Sequence, residues 1–129
     1  MKRKLLAVAL AGGTFLGVRA YAHHSFASTY LESERITIEG DVLQFLYRNP
    51  HSFLHVEAKD ASGKMIRCAI EWGGAAQLGG QGIQSDTLKA GDHVIVLGAP
   101  GRSFSEDHRI RMVSVQRPAD KKTWGQPFN

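Results

Sequence analysis

Apolar and polar residues alternate with a period of two over most of the chain, beginning at Arg35. Ile36, Ile38 and Val42 share one parity, and after Gly40-Asp41 the apolar set moves to Leu43, Phe45 and Tyr47. A change of parity beside a glycine is the mark of a β-bulge, which inserts a residue and bends a long first strand. Asn49-Pro50 ends that strand, because proline has no N–H to give to a ladder. The second strand, His51 to Lys59, sets Ser52, Leu54, Val56 and Ala58 against His51, Phe53, His55 and Glu57. Asp60-Ala61-Ser62-Gly63 reads as a hairpin loop with a glycine suited to positive φ. The third strand, Lys64 to Trp72, places Ile66, Cys68, Ile70 and Trp72 on one face.

Five glycines punctuate Gly73–Ile83, so Ala75-Ala76-Gln77-Leu78 predicts only a short helix. A Leu88–Asp92 turn leads into a fourth strand, His93 to Gly98, and a polar loop, Ala99 to His108, into a fifth, Arg109 to Gln116. Pro118–Asn129 is a polar tail, either loose or docked on one end of the domain. Three strands, a weak helix and two more strands predict an all-β, five-stranded Greek-key barrel of the oligonucleotide/oligosaccharide-binding (OB) type. An open five-stranded sandwich is the alternative. The domain spans 35–117, preceded by an arm at 23–34 that is expected to run extended.

The first 22 residues have a different grammar. Lys2, Arg3 and Lys4 precede an uncharged run from Leu5 to Val18, and Ala20-Tyr21-Ala22 supplies a small-residue cleavage site. This is the pattern of a cleaved secretory signal, too short to span a bilayer as a helix. Export to the periplasm or beyond is expected, with no stable membrane insertion after cleavage. Cutting after Ala22 removes four basic residues and no acidic one, bringing the 16 basic residues of the whole chain level with its 12 acidic ones. A nucleic-acid partner is then excluded, since such proteins keep a basic excess in their working form. The lone cysteine, Cys68, is expected in the core.

Cleavage also exposes His23 as a new N-terminus, followed by His24. Its α-amino group and imidazole form a chelating pair, and a third nitrogen from His51, on the rim beside the rigid Asn49-Pro50 turn, would complete the nitrogen-rich set that copper favours. A cut after Ala20 instead places histidine third, which also chelates Cu(II). His51 and His55 share a parity but lie about 13 Å apart on a regular strand, too far to share an ion. His93 and His108 are expected on the surface. Glu71 and Trp72, at a strand end, are candidates to line a ligand pocket with Asn49, although Trp72 suits the core better. No nucleophile elbow, H-E-x-x-H, C-x-x-C or triad is present, so a non-catalytic module is expected, binding a small molecule or a periplasmic protein.

These residues together resemble a bacterial family of small exported proteins of unknown function. The matching pieces are Ala22-His23-His24-Ser25-Phe26, Asn49-Pro50-His51, Glu71, Leu88-Lys89-Ala90-Gly91-Asp92 and Val94–Gly98. The resemblance implies export and a small β-barrel, with no established activity.

Overall fold

In the computed structural model, residues 26–125 are described. A helical turn, α1 (26–29), is followed by β1 (Ile36–Leu46), β2 (Phe53–Lys59), β3 (Met65–Glu71), α2 (Ala75–Gly80), β4 (His93–Pro100), α3 (Phe104–Asp107), β5 (Arg109–Arg117) and β6 (Lys122–Gly125). The strand order is β3-β2-β1-β4-β5-β6. A parallel pairing of β3 with β5, through Ala69↔Arg109, Ile70↔Ile110 and Glu71↔Arg111, closes the first five strands into a barrel. The expected OB-like barrel with one short helix between its third and fourth strands is therefore the observed fold.

Alternation decides the interior. Leu54, Val56 and Ala58 of β2, Ile66, Cys68 and Ile70 of β3, Val94 and Val96 of β4, and Ile110 and Val115 of β5 fill the barrel, joined by Val42 and Leu88. Leu78 of α2 and Ile83 after it are fully buried. Cys68 is a core residue, its thiol pushed up to about 11 by burial alone.

Four details differ from the sequence expectation. The bulge falls between Val42 and Gln44, with Leu43 as the extra, exposed residue, rather than at Gly40-Asp41. Gly40 serves the strand contact instead. A Cβ there would lie 2.0 Å from the Glu57 carbonyl oxygen, so its absence lets β2 approach β1. The arm is not extended throughout, since it opens with α1 and then bridges Tyr30 to Gly101. Within the tail, Lys122–Gly125 pairs with Ser114–Arg117 as a sixth strand. Arg117 steers that return by binding Asp92 and Asp120 and lying over the Trp124 ring, 5.1 Å from its centroid. The polar loop before β5 also contains a helical turn, α3.

Candidate functional site

His51 sits just before β2, two residues ahead of Phe53, and Phe53 pairs with Glu71 at the end of β3. That register carries the imidazole to the carboxylate: His51 Nδ1 lies 2.6 Å from Glu71 Oε1. Since a carboxylate only accepts, the contact places the proton of a neutral imidazole on Nδ1 and leaves the Nε2 lone pair free. Glu71 is almost fully buried on the outer face of the barrel because the N-terminal arm lies over it. Its Oε2 accepts from the Tyr30 hydroxyl and, at 3.4 Å, from Arg109 Nη2. Burial, then the hydrogen bond to Glu71 and that group's charge, push the Tyr30 hydroxyl well above the usual phenol range.

The arm is fastened along its length. Leu31 N donates to the Pro100 carbonyl, Arg102 N to that of Thr29, and Arg102 Nε to that of Ala27, each at 2.9 Å. Arg111 pairs with Glu32, and its guanidinium lies 4.0 Å from the centre of the Phe26 ring. The His51 ring also packs against Phe26, at 5.5 Å between centroids and 22° between planes. Glu71, Arg109 and Arg111 are thus brought together by the β3–β5 seam, and Phe26, Tyr30 and Glu32 by the arm.

Beside this group opens a cavity of about 360 Å³, lined by Phe26, His51, Trp72, Gln77, Gln81 and Met112 among others. A second cleft of about 660 Å³ continues from it, sharing Trp72, Gln77, Gln81, Arg111 and Met112 and reaching Glu32 and Arg35. Trp72 serves both purposes: one side packs on the core beside Phe45, with centroids 6.0 Å apart, and the other borders the cavity.

Asn49 does not line this cavity. Its side-chain oxygen accepts from Ala76 N at 3.1 Å, satisfying one of the free N–H groups at the start of α2. A Cβ on Gly74 would meet the Pro50 carbonyl oxygen at 2.4 Å, so the glycine lets the helix start press against this turn, whose Asn49-Pro50 peptide is cis. Asn49 thus ties the turn ahead of His51 to the start of α2. His23 and His24 lie outside the described residues. Among the described residues, no three His, Cys, Asp or Glu side chains gather to hold a metal, and no helix is long and apolar enough to cross a membrane.

The structure brings the expected His51, Glu71 and Trp72 together and adds Tyr30, Arg109, Arg111 and Phe26, which the sequence reading did not single out. Arg109 and Arg111 carried a signal, being two residues apart on β5 and so on one face. Tyr30 carried none, since its position depends on how the arm crosses the barrel.

A comparison with curated proteins finds no match. The model of a family of unknown function, DUF6152, matches residues 13–111, most of the chain, and the protein belongs to that family.

Proposed function

We propose that this is an exported, non-catalytic β-barrel binding module whose working site is the rim cavity at His51, Glu71 and Trp72. The observation that carries this reading is the fixed imidazole at the cavity wall. Glu71 orients His51 through Nδ1, so Nε2 is a preset polar contact beside apolar surface from Phe26, Trp72 and Met112. An apolar wall with a few oriented polar groups is what a small organic ligand needs. The test is an NMR screen of small hydroxylated and carboxylated aromatic compounds on the exported protein. Shifts gathered at His51, Trp72 and Gln77, and lost in Trp72→Ala, support the reading. Binding confined to other surfaces, or none, refutes it.

One observation favours a second reading, copper binding. Phe26 stacks on His51, and His24 precedes Phe26 by two residues, within about 7 Å of chain reach. A histidine whose Nδ1 is held by a carboxylate presents Nε2 in the manner of many metal-ligating histidines. His23, through its amine and imidazole, would supply the remaining nitrogens. Cu(II) titration followed by electron paramagnetic resonance, on protein cut by its own signal peptidase, tests this. One equivalent with nitrogen couplings, lost in both His23→Ala and His51→Ala, supports it; weak binding that survives either change refutes it.

A further inference from the structure

On the outer face of β2, β3 and β5, next to the Glu71 cluster, positive charge gathers around one small residue. His55, Ala69 and Arg109 stand in line across the three strands, since His55 pairs with Ala69 and Ala69 with Arg109. Ala69 is therefore a shallow floor between longer side chains. Arg67, two residues earlier on β3, turns its guanidinium to His55, with Nη2 2.5 Å and Nε 3.1 Å from Nδ1. Arg48 and Arg109 each lie near the Phe53 ring, 5.4 and 5.8 Å from its centroid, so at most about 11 Å separates them.

The charges are poorly balanced. Among the described residues neither Arg48 nor Arg67 has an ion-pair partner, and the only one Arg109 has is Glu71, at 3.4 Å, which is also engaged by Tyr30 and His51. Arg67 faces His55 although Glu57 is its direct partner in the ladder. His55 registers the imbalance: burial, then the charges of Arg67 and Arg48, hold its imidazole below the usual histidine range.

The geometry points to a binding site for the phosphoryl group of a soluble small molecule, formed by Arg48, His55, Arg67 and Arg109 over Ala69. A phosphoryl dianion presents three terminal oxygens in different directions, one for each guanidinium, whereas a carboxylate is satisfied by a single arginine fork. A long polyanion fits poorly, because exposed Glu57, Asp41 and Glu39 extend from the edge of the patch across β2 and β1. Arg109, paired with Glu71, joins the patch to the rim cavity, and Arg48, His55 and Arg67 stand outside the lining of that cavity.

The test is an NMR titration of the exported protein with inorganic phosphate and with glycerol 3-phosphate, against potassium chloride at equal ionic strength. Vesicles of phosphatidylglycerol and of phosphatidylcholine form a third arm. The expected result is a saturable shift of the His55 ring and of the Arg48, Arg67 and Arg109 side chains, with either phosphate compound. Arg67→Gln and Arg48→Gln, both exposed and expected to keep the melting temperature, should each weaken binding about tenfold, the loss of roughly one charge-assisted contact. Shifts that match the chloride control, or an affinity unchanged in both variants, overturn the inference. Binding only to phosphatidylglycerol vesicles overturns it too, by assigning the patch to a lipid surface.

Discussion

Glu71→Gln is the substitution that most directly tests how the arm, the barrel seam and the rim cavity are joined. The glutamine keeps the shape and removes the charge that accepts from Tyr30, His51 and Arg109. The three contacts are unequal. The Tyr30 contact is buried, and losing a hydrogen bond to a buried charged group costs about 1.5–3 kcal/mol. The His51 and Arg109 side chains are 39% and 38% exposed, so their contacts are screened and worth about 0.2–1 kcal/mol each. The expected loss is about 3 kcal/mol, which for a domain of this size lowers the melting temperature by roughly 12–24 °C. Thermal unfolding followed by tryptophan fluorescence measures it. Tyr30→Phe isolates the buried bond, and combining the two variants should reveal a coupling of about 1 kcal/mol or more. A fall under about 4 °C with strictly additive variants would refute the account of Glu71 as the joint between arm and barrel.

Other outcomes follow from the same structure. Leu54→Ala, at a fully buried position, should destabilise by about 2–5 kcal/mol in chemical denaturation, with an unchanged fold by circular dichroism. Gly40→Ala drives a Cβ into the Glu57 carbonyl and should cost at least about 2 kcal/mol; a neutral result would show that β1 and β2 separate easily there. Cys68 should resist alkylation by iodoacetamide in the native protein and react at once in denaturant, as measured by mass spectrometry. His93 is hydrogen-bonded by Glu39 and Asp41, which raise its pKa above the unfolded value. Its contribution is thus present below the unfolded pKa and lost as pH rises through the folded one. The gap in melting temperature between the native protein and His93→Gln should be wider at pH 5 than at pH 9.

The five barrel strands were legible because each has a buried face that writes itself as a period of two. Strand β6 was not, because Lys122-Thr123-Trp124-Gly125 is short and mostly polar, and its place is set by the ladder with Ser114–Arg117 and by Arg117 lying over Trp124. The bulge was expected two residues early because Gly40 offered a reason for it; that glycine answers to the neighbouring strand instead. The His51–Glu71 contact missed being legible by one residue. Counting back from an Asp60–Gly63 loop pairs Lys59 with Lys64 and Phe53 with Ile70, whereas the ladder pairs Lys59 with Met65 and so sets Phe53 opposite Glu71. The partner of Asn49 was not legible, since a polar side chain beside a proline turn suits a ligand and a helix start equally, and its contact with Ala76 N depends on where α2 begins.

The β3–β5 seam has a consequence for how the site comes into being. Its pairs join residues far apart in the chain, so closing it carries a large loop entropy that local hairpins such as β2–β3 do not. Glu71, Arg109 and Arg111 all belong to those pairs, and the arm meets the seam through Tyr30 and Glu32. The chain therefore acquires its site in the same late event that makes it a barrel. A partly folded molecule with intact hairpins has no half-formed version of the site to offer a ligand. Conversely, any ligand held there acts as a clasp on the seam, and its first effect on the protein should be to slow unfolding.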